Sequence, residues 1–280
     1  MHSVPRLARI IAAASVAALA VTLAACAPAA QTVDEAAGGY VTDGKLTIAT
    51  GEPAFYPWVL DDTPESGEGF ESAIAYAVAE ELGFAAEDVV WVRTTFDEAI
   101  APGPKAFDFN LQQFSITEER RAAVDFSSPY YETTQAVITT EASAAAGATS
   151  IADLKGLLIG AATGTTSFDA IEAQIAPTAG AQAFNSNDDA KLALESGQVD
   201  AIVVDLPTAF YLTGVELTGG LIIGQLKAST GGDAFGLVLA KDSPITAAVT
   251  AAVDALRSSG RLQEIADEWL ADATNAPVLQ

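Results

Sequence analysis

Few side chains in this sequence are equipped for chemistry, and those that are carry charge or a hydroxyl. Arg120 ends the run Ser115-Ile116-Thr117-Glu118-Glu119-Arg120, which leads on through Val124-Asp125-Phe126-Ser127-Ser128-Pro129-Tyr130-Tyr131. A guanidinium offers a planar two-bond fork to a carboxylate and stays charged at any accessible pH. The alternative is a surface arginine behind Glu118 and Glu119 on a capped turn, with Arg121 as the surface member of the pair. Thr117 is placed either to meet a ligand or to cap that turn. Asp205 follows the apolar run Ala201-Ile202-Val203-Val204. A carboxylate at the carboxyl end of a strand suits a ligand ammonium, and it equally suits the N-cap of a helix begun by Leu206-Pro207. Gly164-Thr165-Thr166 opens a helical run, Ser167–Ile175, whose first N–H groups attract an anion or are simply capped.

The missing chemistry is as informative. The chain has one histidine, one cysteine and one methionine, at His2, Cys26 and Met1. If the mature chain starts at Cys26, as argued next, it contains no histidine. Ser-His-Asp and Cys-His nucleophiles are then excluded, as are His/Cys metal sites. Any enzyme chemistry would fall to carboxylates, Lys, Tyr or Ser, and no cofactor or metal is expected. With 13 Lys and Arg against 37 Asp and Glu, a phosphate backbone is repelled, so nucleic acid is not a partner.

The N-terminus reads as an address label. Arg6 and Arg9 precede an uncharged run from Ile10 to Leu23. As a helix that run would measure about 21 Å, short of the ~30 Å hydrocarbon core. It has the form of a secretory signal, and Leu23-Ala24-Ala25-Cys26 resembles a bacterial lipoprotein signal with Cys26 as lipid attachment site. The divisions expected are a signal peptide over 1–25 and a tether over 26–44. Losing two arginines and no acids takes the formal charge from −24 to −26.

The elements that must position the charged groups follow from periodicity. Strands are expected at Leu46–Thr50, Val89–Val92, Leu157–Ala161, Ala201–Val204 and Leu221–Ile223. Helices are expected at Ser72–Leu82, Asn187–Ser196, Ile245–Ser259 and Arg261–Leu270, the last two broken at Gly260. Alternating β and α runs imply parallel sheets covered by helices, with ligands bound at the carboxyl ends of strands. Gln135–Thr139 and Ala234–Leu239 read as two strands crossing between lobes, which gives one lobe from 45–134 plus 234–275 and another from 135–233.

Three blocks now resemble one family: the Ser115–Tyr131 run; Asp153-Leu154-Lys155-Gly156 through Ile159-Gly160 to Thr163-Gly164-Thr165-Thr166; and Gly197-Gln198-Val199-Asp200-Ala201 to Asp205. With Gly69-Phe70-Glu71 and Gly260…Trp269, they are similar to the extracytoplasmic solute-binding proteins of amino-acid ABC importers, in order from about Lys45 to Leu270. The resemblance implies an α/β, two-lobed periplasmic-binding-protein fold of type II. Each lobe would be a mainly parallel sheet flanked by helices, joined by two crossing strands and closing on one amino acid. It implies that Arg120 grips the α-carboxylate, that Thr166 with Thr165 beside it serves the same group, and that Asp205 pairs the α-amino group. It adds Thr117, Ser115 and Gln113 to the ligand contacts, with Phe55 and Phe96 covering the two faces of the ligand. Glu52 falls at the acid position of some cationic-amino-acid binders. Trp58 reads better as core.

The chain departs from the family at Phe109-Asn110-Leu111-Gln112-Gln113-Phe114, where two glutamines replace small residues and leave the side-chain preference open. The leading expectation is a monomeric, lipid-anchored protein that delivers a polar amino acid to an ABC permease. The alternatives are a dehydratase-like enzyme or a lyase on the same fold, and a sensor module. The lyase and sensor readings would need further domains beyond this sequence.

Overall fold

The computed structural model describes residues 38–228, 233–270 and 276–280. The expected leader, Cys26 and most of the expected tether lie outside these residues.

The first sheet has the order β2 (Val89–Arg93), β1 (Leu46–Thr50), β3 (Phe109–Asn110), β12 (Val238–Ala240), β4 (Val124–Phe126). Successive side chains go to opposite faces, as a pleat requires. Leu46, Ile48, Leu237 and Leu239 join one apolar cluster with α1 (Phe70–Glu81), α8 (Thr246–Ser259) and α9 (Arg261–Trp269). Ala49 and Val238 face the other way, towards Phe107, Phe114 and α2 (Phe96–Ile100). The second sheet has the order β10 (Gly220–Gln225), β6 (Gln135–Thr140), β9 (Ala201–Asp205), β7 (Ile159–Ala162), β8 (Gln182–Phe184). Ala201 and Val203 bury on one face and Ile202 and Val204 on the other, so the run Ala-Ile-Val-Val is apolar throughout because both faces are covered.

Each sheet combines two parallel and two antiparallel pairings, a more mixed arrangement than the βα alternation implies. The antiparallel members are mostly strands next to a crossover, since β6 and β12 enter their sheets directly from the hinge. That hinge is a third, two-stranded ladder of β5 (Tyr131–Thr133) and β11 (Asp233–Phe235).

The crossing strands are therefore displaced from the expected ones. Gln135–Thr139 is not a connector: its residues are buried along the whole run, which places it inside the second sheet. The expected single strand Ala234–Leu239 divides at Gly236-Leu237 into β11 and β12. Two lobe boundaries also move. Tyr40 packs edge-on against Phe84 with ring centroids 5.0 Å apart, and the Val41 N–H donates to Asp108 Oδ1 at 2.7 Å, so the body begins before Lys45. After Leu270 the chain returns to the second lobe, where Leu279 joins its core and Val278 bridges Gln225. Among the described residues no helix is long and apolar enough to cross a membrane.

Candidate functional site

Between the lobes lies a cavity of about 300 Å³. The first lobe contributes the loop after β1. Arg93 Nη1 donates to the Gly51 carbonyl at 2.7 Å and to Asp62 Oδ1 at 2.6 Å, and the same Asp62 oxygen accepts the Ala54 N–H at 2.9 Å. This brace presents Glu52 and Phe55 to the cavity. Gly51 keeps the space tight there: a Cβ would come within 2.8 Å of Gln112 Nε2 and 3.1 Å of the Pro53 carbonyl.

Arg120 belongs to the short helix α3 (Glu118–Arg121) and is 8% exposed. Nη1 donates to the Ser115 carbonyl at 2.8 Å and Nη2 crosses the cleft to the Gly164 carbonyl at 2.9 Å. The guanidinium lies over the Phe96 ring, 5.2 Å from its centroid, and Phe96 is backed by Phe114 at 4.7 Å. A guanidinium has five N–H donors, so donors remain for a ligand after these two bonds. Burial lowers the Arg120 pKa while Asp205, Asp169, Asp233 and Glu119 oppose that shift.

The second lobe brings Thr165 and Thr166. Thr165 caps α5 (Thr166–Ala170): its hydroxyl accepts the Phe168 N–H at 3.2 Å and donates to the Ala162 carbonyl at 2.6 Å. Thr166 Oγ1 meets Ser115 Oγ across the cleft at 3.1 Å. Gly164 supports this turn with φ +70° and its Cα faces Asp97 of the other lobe. Asp205 ends β9 and precedes α7 (Leu206–Tyr211) without making a side-chain capping bond; its Oδ1 accepts from Gln135 Nε2 at 2.7 Å, and the residue lines the cavity. Burial, and next to it the charge of Asp233, push Asp205 up to about 7.

Nine of the ten expected ligand contacts converge on this cavity: Glu52, Phe55, Phe96, Gln113, Ser115, Arg120, Thr165, Thr166 and Asp205. Thr117 is not among its lining residues. Its hydroxyl accepts the Arg120 N–H at 3.1 Å as the N-cap of α3, because a β-region residue before a helical turn is held by that bond. Gln113 lines the cavity, yet its groups are committed elsewhere. It adopts φ +51°, its N–H donates to Glu71 Oε1 at 2.8 Å, and its Nε2 donates to Glu71 Oε2. Tyr130 Oη also donates to Glu71, which is 1% exposed and pushed by burial up to about 7.

Sequence reasoning missed Gln112, Thr95, Asp97 and the segment Asn185–Asp188, all of which line the cavity. The Asn187-Asp188-Asp189 run reads as a helix cap, but Ser186 caps α6 (Asn187–Glu195) and leaves Asn187 and Asp188 at the cleft. Trp58, 2% exposed, is core as expected, and its Nε1 still reaches Thr208 Oγ1 of the other lobe at 3.0 Å.

Two α/β lobes, a hinge ladder and a charged cleft between them define a type II periplasmic binding protein. The chain belongs to the bacterial extracellular solute-binding proteins, family 3, whose pattern matches residues 46–272. It is 31% identical over 226 residues to an L-arginine-binding protein of Pseudomonas aeruginosa, covering 78% of this chain and 85% of the relative. A solved ancestral arginine-binding protein bound to glutamine superposes with a TM-score of 0.69 at 29% identity, covering 82% of this chain and 99% of that one. An ancestral amino acid-binding protein described as a precursor of cyclohexadienyl dehydratase gives a TM-score of 0.66 at 27% identity, covering 81% of this chain and 95% of that one.

Proposed function

We propose that the cleft captures a polar α-amino acid with a neutral hydrogen-bonding or cationic side chain, and releases it unchanged to an ABC permease. The observation that carries this reading is the pairing of Arg120 from one lobe and Asp205 from the other on a single cavity. An α-amino acid places opposite charges on neighbouring groups, and lobe closure strips water from both. Thr166 and the start of α5 supply further donors to the carboxylate. Glu52, Gln112, Asp97, Asn185, Asn187 and Asp188 also line the cavity and are assigned here to the ligand's side chain, and Arg120 is the sole Lys or Arg among the lining residues. An acidic side chain would meet carboxylates there, whereas guanidinium, ammonium or amide N–H groups would meet acceptors. Relatives named for arginine, and a neighbour holding glutamine, agree with that preference. The protein would work from the extracytoplasmic face of the membrane, held by lipid on Cys26.

A thermal-shift panel of the twenty amino acids with ornithine and citrulline tests the reading. A ligand at about 1,000 times its Kd adds about 4 kcal/mol, or roughly 8–16 °C for a protein of this size. The largest shifts are expected from arginine, lysine or glutamine, with mass spectrometry returning the ligand intact. A larger response to glutamate or aspartate, or conversion of the bound compound, defeats it.

A further inference from the structure

Behind the cleft, three side chains from three strands meet on one nitrogen. Gln135 opens β6, Asp205 closes β9, and the two are direct cross-strand partners. Asp233 opens the hinge strand β11. Gln135 Nε2 donates to Asp205 Oδ1 at 2.7 Å and to Asp233 Oδ2 at 2.6 Å. Ser167 Oγ donates to Gln135 Oε1 at 2.6 Å, and Gln135 is 5% exposed. Two carboxylates can be served only by the NH₂ end of the amide, and both of its hydrogens are thereby used.

Two carboxylate oxygens thus share one neutral nitrogen, and the Thr166 hydroxyl adds a second neutral donor to Asp233. The nearby cation, Arg120, sends Nη1 and Nη2 to the Ser115 and Gly164 carbonyls. Like charges held this close in a closed cleft do not both ionise readily, and they titrate as a pair.

We propose that Asp233 is a positioning residue of the ammonium site: bridged to Asp205 by Gln135, it shares one proton with that carboxylate, and the ligand's ammonium displaces this proton on binding. The inference rests on the reading of Asp205 as the ammonium partner. The balance is simple. The ligand keeps its three N–H protons, the carboxyl O–H breaks, and the proton leaves to solvent.

The surroundings favour this exchange. Asp205 is faced by Asp233 from the hinge, Arg120 from α3, Glu71 from α1, Tyr131 from β5 and Tyr130 just before it. Asp169 on α5 acts on Arg120. Arg120 is the only cation in that set. Burial raises Asp233 as well as Asp205. The shared proton sits where the hinge strand meets the binding strand, so its loss accompanies the ammonium's entry.

Titration calorimetry with the best amino acid of the panel, in two buffers of different ionisation enthalpy, reads the proton directly. With Asp205 pushed up to about 7, wild-type protein releases close to one proton per ligand at pH 6, about half at pH 7 and almost none by pH 8.5. Affinity rises up to about tenfold per pH unit below pH 7 over the same range. Asp233→Asn removes the like charge, so release at pH 7 falls well below half and the affinity profile flattens between pH 6 and 8. Glu132→Gln, an exposed neighbour on the same hinge ladder, keeps the wild-type profile. Binding without buffer-dependent heat in wild-type protein overturns the inference and leaves the amino-acid reading standing. Wild-type release persisting in Asp233→Asn overturns the role given to Asp233. Absence of binding to every amino acid sinks both.

Discussion

Arg120 and Arg121 are chain neighbours with opposite fates, and the contrast makes the carboxylate clamp testable. Arg120 is buried, spans the cleft and lies over Phe96. Arg121 is exposed, 3.9 Å from Glu118 and 5.8 Å over the Phe126 ring. Losing a partner for a buried ligand charge costs about 3–5 kcal/mol, which is roughly a 10²- to 10³-fold weaker Kd. Arg120→Met, which keeps much of the stem, and Asp205→Asn, which keeps the shape, should each show a loss of that size in titration calorimetry. Arg121→Met should change little, since exposed pairs contribute ~0–1 kcal/mol. An Arg120→Met protein binding within threefold of wild type would refute the clamp. At this scale the sequence was readable where residue types carry a charge requirement, as at Arg120 and Asp205. It was unreadable at Gln113, whose amide looks free until Glu71, 42 positions away in the chain, is seen to hold it.

Among the elements, the β3–α3 connection depends most on that one carboxylate. Glu71 on α1 accepts from the Gln113 backbone, the Gln113 side chain and Tyr130, fixing a positive-φ turn directly beside the cavity. Its pKa is raised by burial from 4.5 to about 7. A raised pKa means that the folded state binds the proton more tightly than the unfolded chain. The stability it contributes is therefore full below about pH 4.5 and is lost as pH rises through 7. Glu71→Gln is neutral throughout, so its unfolding free energy should fall less than that of wild type between pH 5 and pH 8, by on the order of 2 kcal/mol in denaturant titrations. Some pH dependence remains in the variant, because Asp205 is raised in the same sense. Identical pH profiles for the two proteins would show that Glu71 is not the buried titrating group. Long helices such as α8 and α9 were legible because an apolar stripe and Gly260 mark them. The hinge was not. Tyr131–Thr133 is only three residues, and what makes it a connector is its pairing with Asp233–Phe235, about a hundred positions on. The Gln135–Asp233 bridge was hidden for the same reason: it exists only once the β6–β9 register and the hinge ladder are both in place.

For the whole molecule, the proposed anchoring has to be set against an acidic body. The sequence carries a formal charge of −24, and anionic lipid surfaces attract basic segments and repel acidic ones. The two lobes therefore have no electrostatic reason to lie on a membrane, and among the described residues no helix could span one. Under the proposed lipid anchoring, retention would rest on Cys26, which follows Leu23-Ala24-Ala25 directly. One acyl chain binds a membrane only marginally, and stable anchoring takes at least two, as a lipid-modified N-terminal cysteine would supply. Cys26→Ser should therefore move the protein from the membrane fraction to the soluble or uncleaved precursor fraction, with its thermal midpoint and amino-acid affinity unchanged. Fractionation of cells expressing each form would decide: a mature-size Cys26→Ser protein that remains on the membrane as wild type does would place the anchor elsewhere.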